Sequence, residues 1–166
     1  RGRVDVRGAK NLATKAMVAA LLADTPSLLK DVPDISDVGV VSRMLEAYGV
    51  SVTKVGEGEL MLDPTNVLKA QFHEIDALAG SSRIPILFCG PLLHRLGEAL
   101  IPDLGGCRIG DRPIDFHLNA LRKFGAIVEI GLHAALELHG GRCLVCRLGQ
   151  VACGARRHQA VQEPER

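Results

Sequence analysis

Apolar positions along this chain fall into two spacings, and the order in which the spacings occur is used twice. Val4-Asp5-Val6 alternates as a short strand, and Gly8 breaks it before an alanine-rich run from Asn11 to Ala23 that reads as a helix. That run has little polar surface, which predicts a mostly buried helix. Leu28 to Val32 reads as a strand ended by Pro33. Ser36 or Asp37 is placed to cap the next helix, in which Val38, Val41, Leu45 and Tyr48 recur at helical spacing until Gly49 ends it. Val50 to Thr53 and Leu60 to Leu62 then form a hairpin around Gly56-Glu57-Gly58.

The same succession returns downstream. Ser81 and Ser82 can cap a helix carrying Ile86, Cys89, Leu93 and Leu96, with Gly90-Pro91 predicted to kink it. Glu98 to Pro102 is a strand like Leu28 to Val32. A helix from Asp115 to Phe124, ended by Gly125, precedes a strand from Ala126 to Ile130. Met44-Leu-Glu-Ala-Tyr-Gly-Val-Ser-Val52 and Ala120-Leu-Arg-Lys-Phe-Gly-Ala-Ile-Val128 run in parallel, so the chain holds two copies of a strand, helix, strand, helix, strand, strand unit. This pattern predicts a pseudo-symmetric α/β domain over residues 1–130 with its more apolar helices inside. From Gly131 to Arg166 the periodicity fades to a possible strand at Ala134 to Leu138, which predicts a divergent and loosely ordered tail.

Composition narrows the function classes. The 166 residues suffice to bury a core, and 20 basic against 19 acidic side chains leave a formal charge of +1, so no global field favours nucleic acid or an anionic membrane. Aromatic residues are only 3%, too few for base-stacking platforms. No apolar run is long enough to span a bilayer, and the five cysteines read as reduced thiols, which together point to a cytoplasmic protein. Cys143-Leu-Val-Cys146, with His139 and Cys153 nearby, lacks the second pair that a zinc site needs, so no metal is expected. Cys89 lies on an apolar helical stripe and reads as a core thiol.

The densest chemistry lies in Leu104-Gly-Gly-Cys-Arg-Ile-Gly-Asp-Arg-Pro-Ile-Asp-Phe-His117. Its glycines let a ligand approach the main chain, and Pro113 and Asp115 read as the start of a helix, with Asp115 able to cap it. A helix start beside two guanidinium groups suits phosphate or carboxylate, and a thiol in that field loses its proton more readily. Two readings fit: Cys107 as a reactive thiol beside an anion site, or a glycine-rich turn carrying an incidental cysteine. Asp115 is open in the same way between ligand contact and capping. His117 is read as packing behind the site.

With Gly8-Ala-Lys10-Asn11 at one helix start, and Gly106-Cys107, Gly110 and Arg112-Pro-Ile-Asp-Phe-His117 at another, the chain resembles the UDP-N-acetylglucosamine enolpyruvyltransferases over residues 2–130. Arg83 and Gly90-Pro-Leu92 extend the likeness. The resemblance implies an inside-out α/β barrel of βαβαββ units, two of them present here and a second domain missing. It implies transfer of the enolpyruvyl group of phosphoenolpyruvate to the 3-hydroxyl of UDP-N-acetylglucosamine without metal or organic cofactor. Cys107 then matches the acid that protonates the enolpyruvyl methylene and the target of fosfomycin. Lys10 and Asn11 match contacts to phosphoenolpyruvate, while Arg83, Arg112, Pro113, Ile114, Asp115 and Phe116 match the sugar-nucleotide site, with Arg112 also matched to anionic phosphate. The family's general base lies in a later domain, so the alternatives are an inactive ligand-binding or interaction fragment, able to self-associate, and a sister enzyme acting on shikimate 3-phosphate. After Ile130 the family's Ser-Val-Gly-Ala-like turn is absent; Gln150-Val-Ala-Cys-Gly-Ala155 only echoes it.

Overall fold

A computed structural model of the chain describes residues 1–4, 6, 8–105, 113–131 and 143–148. The first helix, α1 (Lys10–Ala19), runs into a 3-10 turn at Ala20–Leu22. Its period of 3.6 gathers Ala13, Thr14, Met17, Val18 and Leu21 on one buried stripe. The opposite side, with Leu12, Lys15 and the end at Leu22, is exposed, so α1 is half buried instead of mostly buried. Alanine misled the expectation, because its methyl group fits either environment.

Strand β1 (Ser27–Leu29), helix α2 (Ser36–Ala47), and the hairpin β2 (Ser51–Gly56) with β3 (Glu59–Asp63) complete the first unit. Its sheet has the order β1-β3-β2, antiparallel throughout. Val4 and Val6 are exposed and belong to no strand, so the described unit opens on a helix and not on the strand expected at Val4 to Val6. A five-residue helix, α3 (Phe72–Asp76), begins at a capping box of Gln71 and Glu74 that the sequence reading passed over.

The second unit repeats the first. A 3-10 helix at Ile84–Phe88 leads into α4 (Cys89–Leu96); the change of helix type falls just before Pro91, which has no N–H to donate to the preceding turn. Then follow β4 (Glu98–Pro102), α5 (Asp115–Lys123), β5 (Ala126–Gly131) and β6 (Cys143–Leu148). The second sheet has the order β4-β6-β5, antiparallel again, which is the first sheet's order one unit later. Helices α2 and α5 both end at a glycine in the left-handed region, Gly49 (φ 80°) and Gly125 (φ 88°), before their sheet resumes.

Strand β6 departs from expectation most. It lies beyond residue 130, within the stretch expected to be a loose tail, yet it is the central strand of the second sheet, paired with β4 and β5 along its length. The strand anticipated at Ala134 to Leu138 lies outside the described residues, as does everything after Leu148.

One apolar cluster joins the units. Met17, Leu21, Met44, Leu45 and Leu62 from the first pack with Phe88, Leu92, Ile101, Leu118 and Cys146 from the second. Helices thus fill the middle and the sheets lie outside, the α/β arrangement the sequence predicted. Cys89 is buried in this core as expected, and its Sγ lies 4.0 Å from that of Cys146 on the inner face of β6.

Two polar side chains fasten the units together. The Tyr48 hydroxyl at the end of α2 donates to the Leu100 carbonyl at 2.6 Å and accepts from the Leu100 amide at 3.0 Å, sealing the outer edge of β4. Arg95 of α4 donates to the carbonyls of Ala23 at 3.2 Å and Pro64 at 3.0 Å, and to Asp24 Oδ1 at 3.1 Å.

Candidate active site

The starts of three helices meet around one carboxylate. Asp37, in the first turn of α2, accepts from Lys10 Nζ at 2.8 Å and from Ser82 Oγ at 3.0 Å. Lys10 is the first residue of α1, and Ser82 precedes the 3-10 helix of the second unit, where its hydroxyl also accepts from the Ile84 amide at 3.2 Å. Lys10 and Ser82, far apart along the chain, are thus both brought to Asp37, and Asn11 and Arg83 are their next neighbours in sequence.

The arrangement follows from helix electrostatics. A lysine at the positive end of α1 opposes the helix dipole, whereas a carboxylate in the first turn of α2 is favoured by it. Pairing the two settles both, with the Lys10 side chain 61% and the Asp37 side chain 21% exposed. The Lys10 ammonium holds the Asp37 carboxyl below the usual carboxylate range, against partial burial that pushes the other way, and the Ser82 hydroxyl adds to the lowering. An ammonium has three N–H donors, so one bond to Asp37 leaves Lys10 able to meet an anion from solvent. Asp37 fixes its direction.

The chain leading into the Cys107 stretch, which its glycines mark as a loop in the sequence, is anchored to the same place. Gly105 donates its amide to the Ser82 carbonyl at 3.2 Å, and Gly80 donates to the Asp103 carbonyl at 2.8 Å. The two backbones approach so closely that a Cβ on Gly105 would overlap the main chain of Gly80. Cys107 and Arg112 themselves lie outside the described residues.

At the far end of the loop, Ile114 packs partly buried against the core, while Pro113, Asp115 and Phe116 are exposed at the start of α5. Asp115 does not cap this helix: the N-cap is Ile114, no side chain caps it, and Asp115 sits one residue inside, where its charge still favours the helix end. Neither Ser36 nor Asp37 caps α2, whose N-cap is Ile35. Arg83 is half buried beside Ser82.

Asp37 and Ser82 are the residues that reading the sequence missed as site members. Both were noticed only as possible caps, and their partners lie 27 and 45 residues away along the chain, beyond any local pattern.

Other polar groups fall outside this cluster. Among the described residues, no group of three or more His, Cys, Asp and Glu side chains could hold a metal ion, and Cys146 of the Cys143/Cys146 pair points into the core. No described helix is long and apolar enough to cross a membrane. A surface depression of about 520 Å³, lined by Val32, Asp34, Lys54 and Glu59 among others, lies under the β2–β3 hairpin and includes none of the residues just described.

The fold has relatives among solved structures. The enolpyruvyl transferase NikO from Streptomyces tendae superposes with a TM-score of 0.65 at 20% identity, covering 89% of this chain and 30% of that one. EPSP synthase from Acinetobacter baumannii gives 0.61 at 17% identity, covering 90% and 32%. At the level of sequence, a UDP-N-acetylglucosamine 1-carboxyvinyltransferase of Jannaschia sp. (strain CCS1) is 39% identical over 142 residues, 84% of this chain and 34% of the relative. One from Acinetobacter guillouiae is 40% identical over 148 residues, 86% of this chain and 35% of the relative. This chain thus spans about a third of the length of the curated relatives it matches. The family model described as EPSP synthase (3-phosphoshikimate 1-carboxyvinyltransferase) matches residues 1–150, which takes in both α/β units, the Lys10–Asp37–Ser82 junction and the cysteine loop, and the chain belongs to that family.

Proposed function

We propose that this chain is the part of a cytoplasmic UDP-N-acetylglucosamine 1-carboxyvinyltransferase that carries the acid and the first anion contacts, acting in peptidoglycan synthesis. The reaction moves the enolpyruvyl group of phosphoenolpyruvate onto the 3-hydroxyl of UDP-N-acetylglucosamine and releases phosphate. The enol phosphate of phosphoenolpyruvate becomes electrophilic only when its terminal carbon gains a proton, so Cys107 is assigned as the acid. The sugar hydroxyl then adds to the adjacent carbon, giving its own proton to a general base, and loss of phosphate and of the proton added at the methyl carbon restores the double bond. Lys10, Asn11 and Arg112 hold the phosphate and carboxylate of phosphoenolpyruvate as charge shifts. Arg83 and Pro113 to Phe116 hold the sugar nucleotide.

The observation that carries this reading is the tether of Gly105 to Ser82, which ties the near end of the cysteine loop to the carboxylate that orients Lys10. Identity of about 40% to relatives bearing that activity favours the sugar nucleotide over shikimate 3-phosphate as acceptor. Because the chain spans about a third of those relatives, a second reading is that it binds the ligands without turning them over.

Peptide mapping after exposure to fosfomycin tests the assignment of the acid. A single adduct on Cys107 is expected, and labelling of Cys89 or Cys143 in its place would overturn it. Calorimetry with UDP-N-acetylglucosamine, alone and with phosphoenolpyruvate, separates binding from turnover. Heat from shikimate 3-phosphate but not from the sugar nucleotide would reverse the choice of acceptor.

A further inference from the structure

The core of the second unit holds two thiols that the proposed chemistry does not use. Cys89, the first residue of α4, is 2% exposed and Cys146 of β6 is 0% exposed. Their Sγ atoms lie 4.0 Å apart, although the residues are 57 positions apart in sequence. Both are free thiols.

Strand register shows that packing does not require a thiol at Cys146. Val52 and Val128 hold the same step of the repeat, Val52 pairing with Leu62 and Val128 with Cys146. Leu62 is fully buried as well, so the first unit places a leucine where the second places a cysteine facing another cysteine. The pair is also polarised. Cys89 shares its thiol proton with Cys146, which pushes the Cys146 thiol down and the Cys89 thiol up. Burial raises Cys89 further, while at Cys146 it is opposed by the Arg122 guanidinium. Cys146 is therefore the sulfur that meets an electrophile first.

From this geometry we infer that Cys89 and Cys146 form a reversible disulfide site, closed by hydrogen peroxide, that staples the central strand of the second sheet to α4. A disulfide holds its sulfurs about 2.05 Å apart, so the two Sγ atoms must approach by about 2 Å, through side-chain rotation and small shifts of α4 on β6. The Cys146 sulfur attacks one peroxide oxygen and the O–O bond breaks, giving a sulfenic acid while the departing oxygen takes the thiol proton and leaves as water. The Cys89 sulfur then attacks the sulfenic sulfur. The S–S bond forms, the S–O bond breaks, and the hydroxide leaves with the Cys89 proton as a second water. Two thiols lose two electrons and one peroxide is reduced to two waters; a dithiol reductant reverses the change. Burial makes closure slow, because peroxide reaches the pair only when β6 lifts from α4, and it shields the closed bond from reductants in the same way. The loop so closed contains β4, α5, β5 and Cys107, so oxidation constrains the second unit without consuming the cysteine assigned as the acid.

Peptide mapping of the full chain after prolonged exposure to hydrogen peroxide, alkylation of the remaining thiols and digestion without reductant tests this. The expected product is a cross-link between the peptides holding Cys89 and Cys146, which dithiothreitol removes and which neither Cys89→Ala nor Cys146→Ala can form. Mapping of the parent chain decides the point even where a variant folds poorly. Closing a loop of this length should raise the melting temperature of the parent by about 10 °C and leave that of Cys89→Ala unchanged. A Cys143 to Cys146 cross-link in its place, recovery of both Cys89 and Cys146 as alkylated thiols, or a cross-linked chain that melts no higher than the reduced one would each overturn the inference.

Discussion

Replacing Gly105 with alanine probes the link between the core and the cysteine loop most directly. The new methyl group would overlap the carbonyl oxygen, carbonyl carbon and Cα of Gly80. All three are backbone atoms, so no rotamer change relieves the contact and the two segments must separate. Separation strains or breaks the Gly105 to Ser82 and Gly80 to Asp103 hydrogen bonds, at 3.2 and 2.8 Å. Overpacking costs about 1–3 kcal/mol and each hydrogen bond about 1 kcal/mol, so a loss of about 3 kcal/mol is expected. For a chain of this size that lowers the melting temperature by about 6–12 °C. The functional effect should be larger in kind than the stability effect: with the anchor displaced, fosfomycin labelling of Cys107 should slow even at temperatures where the variant is fully folded. Urea titration gives the first quantity and timed mass spectrometry the second. A variant within about 0.5 kcal/mol of the parent would refute the packing reasoning. Unchanged labelling in a clearly destabilised variant would show that the anchor does not position the loop.

Three further outcomes follow from the geometry. Tyr48→Phe removes the hydroxyl that serves both polar groups of Leu100 and should cost about 2 kcal/mol in urea unfolding, whereas a change under about 0.5 kcal/mol would mean water replaces it. Asp37→Asn should cost about 1 kcal/mol or less at pH 7, because Lys10 is largely exposed. The native carboxyl is held below its ordinary range, so this contribution is complete above about pH 4 and vanishes as pH falls through the lowered native value; urea midpoints of parent and variant should differ at pH 7 and draw together as pH falls below the ordinary carboxylate range. Cys89→Ala should cost about 1 kcal/mol by thinning the core, while leaving the yield of fosfomycin adduct at Cys107 unchanged, as read by calorimetric melting and peptide mapping.

What the sequence showed, and what it hid, divides along the range of the interactions involved. Helices α2 and α5, the β2–β3 hairpin and strands β4 and β5 were legible because their apolar spacing and their closing glycines are local. The pseudo-repeat was legible because Met44 to Val52 and Ala120 to Val128 place the same residue classes at the same steps. Strand β6 was not. The first hairpin turns between Gly56 and Glu59, whereas β5 ends at Gly131 and β6 begins only at Cys143, so position in the repeat no longer predicted where the last strand begins. Cys143-Leu-Val-Cys146 also invited a metal reading, when the burial of Cys146 against Cys89 shows that at least one of those thiols is there for packing.

The candidate site divides in the same way. Lys10, Asn11 and Arg83 were picked out by the family resemblance, but nothing local says that Lys10 answers to Asp37. Reading Asp37 as a cap was reasonable, since aspartate at a helix start usually bonds its own first-turn amides. Here the chain enters the helix one residue earlier, at Ile35, which frees the carboxylate to turn toward α1 and Ser82. A capping residue shifted inward by two positions becomes a tertiary ligand. In the second unit the shift is a single position, with Ile114 as the N-cap and Asp115 the first helical residue. Ile114 packs against the core and so sets where α5 starts, and Asp115 behind it stays exposed. Both helices thus start on an apolar residue, yet the offset of two commits the first unit's carboxylate to Lys10, while the offset of one leaves the second unit's carboxylate exposed at the start of α5.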